Sequence, residues 1–173
     1  MTIIETLLTE LDQEAATTRR VLERVPEAHL AWRPHPKSMS LGQLALHIAT
    51  VPGNVARLAS QLTLPAPPDF VQAEAAHASE LVPALTESIA EARRLLGGLD
   101  DAAMADTWRL LADGQELMAM PRGALLRAIM LNHWYHHRGQ LLVYLRLLDV
   151  PVPSVYGPTA DESPFRAATG GAA

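Results

Sequence analysis

From Pro121 to about Leu148 the chain holds one unbroken helical pattern that is apolar on two adjoining sides. At about 1.5 Å per residue it is roughly 40 Å long. Met130, His133, His137, Leu141, Tyr144 and Leu148 share one side, while Leu125, Ile129, Asn132, His136, Val143 and Leu147 share the next. A helix with so wide an apolar surface needs covering from two directions. The core of a helical assembly covers one side. A second copy of the chain is the economical cover for the other, so a homodimer is expected.

Three further helical patterns precede it. The first runs from about Ile3 to Val25, with Ile4, Leu7, Leu8, Leu11, Ala15, Thr18 and Leu22 at helical spacing, and Pro26 stops it. The second begins at Ser40, whose side chain can cap the helix while Gln43 completes a capping box. It runs from Leu41 to about Leu62, and Pro52-Gly53 predicts a kink or break near Thr50. The third spans about Gln72 to Leu96, interrupted by Pro83 and ended at Gly97-Gly98. Between it and the last helix, Thr107–Leu111 and Glu116–Met120 flank Asp113-Gly114, which reads as a short hairpin or an extended loop. The expected fold is therefore all-α: a four-helix bundle with a hairpin or loop before the last long helix. Residues 1–173 read as one domain, and the small, Gly-rich tail after about residue 166 is expected to be disordered.

Composition narrows the function. With 49% hydrophobic and 19% charged residues, a chain of 173 residues can bury a core without a structural metal. Any metal is then functional. The net charge is -5 and the 14 basic residues form no long run, which disfavours nucleic acid as a partner. The absence of cysteine rules out disulfides, thiolate ligands and a cysteine nucleophile. Met1–Glu5 lacks the basic region of a signal peptide and no stretch reaches about 20 apolar residues, so no membrane span is expected and the expected address is the cytoplasm.

The histidines carry the chemistry. Burying imidazoles in the last helix is costly unless they find partners. His133 and His137 stand one turn apart on one face, as two nitrogen ligands of a single metal would, and His47 in Leu44–Ala49 can add a third from the second helix. The same spacing suits core histidines bonded to backbone or carboxylate groups, and His136 competes with His137 for the second position. His29, His35 and His77 lie in or beside linkers or polar stretches and read as ordinary surface residues.

Several short motifs occur in a specific order: Val25-Pro26-Glu27; Trp32-Arg33-Pro34-His35-Pro36-Lys37-Ser38; Ser40–Ile48 with His47; Asn132-His133 followed by His136-His137-Arg138-Gly139-Gln140-Leu141; and Tyr156-Gly157-Pro158-Thr159-Ala160-Asp161-Glu162. Together they resemble the DinB-like (YfiT-like) family of bacterial four-helix-bundle metalloproteins over nearly the whole chain. The resemblance implies a divalent metal, typically nickel or zinc, held by His47, His133 and His137, and so selects His137 over His136. It also implies a homodimer. One departure is Pro52-Gly53 so soon after His47, which puts the ligand geometry of the second helix in question.

Three nitrogen ligands leave a coordination position for water or substrate. The expected function is a metal-dependent enzyme acting on a small molecule. Thiol S-transfer is favoured, with a low-molecular-weight thiol deprotonated on the metal; thiol-dependent isomerisation and hydrolysis are the other chemistries the resemblance implies. The alternative is a non-catalytic dimeric metal-binding or stress-response module. No catalytic acid or base is assigned. Gln43 reads as a cap, Arg138 as a partner for a carboxylate or carbonyl, Trp32 as a packing residue, and Tyr156, Asp161 and Glu162 as a tail that either folds over the bundle end or is pinned by a basic residue such as Arg138 or Arg33.

Overall fold

The computed structural model describes residues 1–67 and 71–165; the expected disordered tail lies outside them. Helix α1 (Ile3–Leu22) starts in a capping box between Thr2 and Glu5. Helix α2 (Leu41–Ala59) starts in the one foreseen between Ser40 and Gln43. Helix α3 (Leu81–Leu96) follows a 3-10 turn at Ala78–Glu80, and a short α4 (Asp101–Ala105) follows it. The last long helix is built in three parts: α5 (Arg122–Leu125), a π-helical segment (Leu126–Asn132) and α6 (His133–Leu147). Leu11, Leu44, Ile48, Leu85, Leu126 and Trp134 fill the core between the long helices.

The all-α expectation is corrected. A three-stranded mixed sheet, β1 (Thr63–Pro65), β2 (Thr107–Ala112) and β3 (Gln115–Pro121), accompanies the helices in the order β1-β2-β3. β2 and β3 pair antiparallel from Thr107↔Pro121 to Ala112↔Gln115. Asp113 and Gly114, both at positive φ (50° and 78°), make the two-residue turn between them. β1 pairs parallel with β2, Leu64 opposite Leu110. Trp108 fastens this layer to the bundle: it is buried, and its indole donates to the Leu58 carbonyl at 3.1 Å, at the end of α2. The chain is thus a helical bundle with a small sheet, not a pure four-helix bundle.

Two helix boundaries also differ from expectation. Residues 72–77 are not helical, so α3 starts at Leu81 and Pro83 falls in its first turn, where a missing N–H costs nothing. α2 continues through Pro52, with no break at Thr50. A proline at position 52 leaves the carbonyl of Ile48, four residues back, without its helical donor. Trp134, fully buried on α6, supplies one: its indole N–H donates to that carbonyl at 2.8 Å. The neighbouring Gly53 N–H donates to Ser88 Oγ at 2.8 Å, and a Cβ at Gly53 would lie 3.0 Å from the Ser88 carbonyl oxygen. Pro52-Gly53 is therefore the place where α3 and α6 press against α2. It holds the helix in position just after His47.

Candidate metal centre

α2 and α6 bring three imidazoles together. One ring nitrogen from each of His47, His133 and His137 lies within 4.8 Å of the others. Ring centroids are 5.2 Å apart for His47–His133, 4.7 Å for His47–His137 and 4.4 Å for His133–His137. All three side chains are half-buried. His136 is exposed, with its ring centroid 5.0 Å from that of His137, and among the described residues it joins no such cluster; His29, His35 and His77 are exposed too.

The π-helical segment prepares His133. Its backbone N–H bonds the carbonyls of Ala128 and Met130, and the Ile129 carbonyl meets its ring instead, at 3.2 Å from Nδ1. A carbonyl only accepts, so Nδ1 carries the hydrogen and Nε2 presents a lone pair. On His137, Nδ1 donates to Gln140 Oε1 at 2.7 Å, one turn along, which leaves its Nε2 in the same state. Those two Nε2 atoms face each other at 2.7 Å.

Two nitrogen lone pairs so close repel unless a positive charge, a proton or a metal ion, stands between them. The donor set suits a metal: neutral imidazoles with their outer nitrogens anchored, as ligating histidines typically have. The pair would open only slightly to reach the roughly 3.3 Å separation of two ligands on tetrahedral zinc.

The electrostatics favour the unprotonated state. Burial, reinforced by the charges His137 and His133 would carry, pushes His47 down to about 4. Burial likewise lowers His133, against the hydrogen bond to Ile129, and lowers His137, against the one to Gln140. Imidazoles held neutral are ready to bind a cation.

A cleft of about 390 Å³ opens beside His47 and His133, with Val51, Val55 and Leu58 of α2 and Ile129 of the π-helical segment among its walls. A second cleft of about 400 Å³, between α2 and α3, is polar and contains Arg57, Glu87 and Glu91. No histidine borders it, so the first is the one joined to the cluster.

The residues expected near the cluster mostly serve as structure. Gln43 completes the cap of α2 and also donates through Nε2 to the Gln72 carbonyl at 3.3 Å. Trp32 packs edge-on against Tyr144, with ring centroids 5.6 Å apart. Arg138 is fully buried and pairs with neither tail acid; it bridges Glu14 of α1 at 2.6 Å, donates to Thr18 Oγ1 at 3.0 Å and meets the Tyr156 hydroxyl. The tail acids are pinned by other basic residues than Arg138 or Arg33. Asp161 pairs with Arg146, and Glu162 with Arg24 at 2.8 Å and Arg20 at 3.8 Å. Sequence reasoning passed over Trp134 and Gln140. Gln140 had a usable signal, since it stands three residues after His137 on the same face; Trp134 had none, because its role depends on Pro52.

Comparison with known proteins agrees with this architecture. The model of the DinB family matches residues 1–167. The YrdA protein of Bacillus subtilis (strain 168) is 27% identical over 156 residues, covering 86% of this chain and 85% of its own. Among solved structures, a DinB-like protein from Bacillus cereus ATCC 10987 superposes with a TM-score of 0.66 at 23% identity, over 88% of this chain and 97% of that one. The DinB-like protein YjoA of Bacillus subtilis gives 0.65 at 19% identity, over 87% and 96%. These structural likenesses show the fold.

Proposed function

The chain belongs to the DinB family, and from that premise we propose that His47, His133 and His137 hold one divalent metal ion, nickel or zinc, in an enzyme that acts on a small molecule. The observation that carries the reading is the facing pair of Nε2 atoms on His133 and His137, each with its Nδ1 hydrogen already committed. Such a metal would bind and acidify water or a thiol, or polarise a carbonyl, which suits thiol S-transfer or hydrolysis. The protein's own part is orientation. Ile129 and Gln140 fix two rings, Trp134 ties α6 to α2, and the adjoining cleft offers a substrate a largely apolar seat.

Metal-loaded protein is expected to turn over an electrophile with a low-molecular-weight thiol, or an ester or amide with water, and to lose that activity to a chelator. An absence of turnover in both screens, with metal bound, counts against an enzyme. It favours instead a dimeric binding module, for which one observation speaks: the nearest expected acids, Asp161 and Glu162, are engaged by arginines away from the cluster. The homodimer itself rests on Val143 and Leu147 of α6, 58% and 59% exposed on one outward stripe. Light scattering of a Leu147→Glu variant, expected to be monomeric, tests it. No helix among the described residues is long and apolar enough to cross a membrane.

A further inference from the structure

The cleft beside the histidines has a composition that selects its occupant. Its described lining includes no Asp, Glu, Lys or Arg. Val51, Val55 and Leu58 follow one another along a single face of α2, and Ile129 closes the opposite wall. Two of the three clustered histidines, His47 and His133, line it, and His137 does not. The cleft therefore meets the cluster from one direction and leads away from it along a mainly apolar track, with Thr50, Asn54 and Gln72 as its uncharged polar members. Leu58, eleven residues beyond His47 along α2, stands at the end away from the cluster and is 41% exposed, apolar surface that solvent does not favour. A volume of about 390 Å³ is within the range of small-molecule sites.

We infer that this cleft binds a neutral small molecule with an apolar alkyl or aryl body and one polar head, the head meeting the His47–His133 wall and the body lying along Val51, Val55 and Leu58. The inference rests on the metal reading above and names the substrate class of that site. A carboxylate at the far end of the body would lie against the apolar Leu58 side chain with no Lys or Arg in the described lining to pair with it, and is selected against.

The test uses zinc-loaded protein and three hydroxamic acids that share one chelating head, titrated by calorimetry: acetohydroxamic acid, octanohydroxamic acid and the monohydroxamate of octanedioic acid. A buried methylene is worth about fourfold in affinity, so the octano compound is expected to bind at least about tenfold tighter than the aceto compound. The terminal carboxylate is expected to remove most of that gain. Leu58→Asp, at an exposed position that tolerates a polar side chain, is expected to reduce the octano-to-aceto ratio to under about threefold. Equal affinity for the short and long chains, retention of the gain with the carboxylate present, or an unchanged ratio in Leu58→Asp would overturn the inference, as would zinc uptake with no hydroxamate binding. Failure to take up zinc at all is a different result: it defeats the metal reading first.

Discussion

Trp134 on α6 donates its indole N–H to the carbonyl of Ile48 on α2, 2.8 Å away, the very oxygen that Pro52 leaves without a helical partner. Each partner is the chain neighbour of a clustered histidine, Trp134 of His133 and Ile48 of His47. The bond therefore sets how far apart the two helices carry their imidazoles. It also explains why a proline inside α2 does not break the helix.

Removing the donor should strand a buried carbonyl. Trp134→Phe is expected to cost about 1–3 kcal/mol in urea unfolding. In a Pro52→Ala background the new backbone N–H can take over at Ile48, so the penalty of Trp134→Phe should shrink by about 1 kcal/mol or more. Equal penalties in the two backgrounds would show that the indole and the proline are not coupled.

Arg138 is the most deeply buried charge of the described residues, held between Glu14, Thr18 and Tyr156, with the Tyr135 ring centroid 5.3 Å from its guanidinium carbon. Arg138→Ala leaves the largely buried Glu14 without its cation and is expected to cost about 3–5 kcal/mol. Tyr156→Phe removes hydroxyl contacts at the edge of the same group, including one to Glu14 Oε2 at 2.9 Å, and should cost about 1 kcal/mol. Chemical denaturation of both variants checks the order. A Tyr156→Phe penalty as large as that of Arg138→Ala contradicts the assignment.

The clustered imidazoles predict acid sensitivity. His47 sits at about 4 in the folded chain, lowered first by burial, and His133 and His137 are lowered by the same cause. An unfolded imidazole titrates near 6.5. As pH falls, the unfolded chain therefore takes up protons before the folded one. The stabilisation is complete above about pH 6.5 and is lost progressively toward about pH 4. Metal-free protein should melt at lower temperature at about pH 5 than at about pH 7, and His47→Ala should reduce that difference. An unchanged difference in the variant would place the acid sensitivity elsewhere. With metal bound the dependence should steepen, because protons and cation compete for the same nitrogens.

The long helices and the histidine cluster were legible in the sequence for physical reasons. Amphipathic stripes repeat over several turns, the Ser40–Gln43 cap is a local signal, and an i, i+4 pair of histidines meets on any helix. Periodicity leaned to His137 over His136 without settling the choice; the family motif settled it. The β2–β3 hairpin about Asp113-Gly114 was legible, as the alternative to an extended loop; the third strand escaped because β1 is three residues long and its partner β2 lies far along the chain, so no local pattern announces the pairing. Pro52 misled for the same kind of reason: its cost depends on whether a distant donor reaches Ile48, and that donor is Trp134. The start of α3 was misplaced because Pro83 reads equally as an interruption or as a first-turn residue. The π-helical stretch before His133, which gives the ring its Ile129 partner, leaves no mark on the apolar pattern at all.

The most direct test of the metal centre is the metal content per chain, by elemental mass spectrometry, of the wild type after reconstitution with zinc or nickel and of the His47→Ala, His137→Ala and His136→Ala variants. The account predicts about one ion per chain in the wild type and in His136→Ala, and loss of tight binding in His47→Ala and His137→Ala. Wild-type protein that takes up no metal, or His47→Ala protein that retains a full complement, would contradict it.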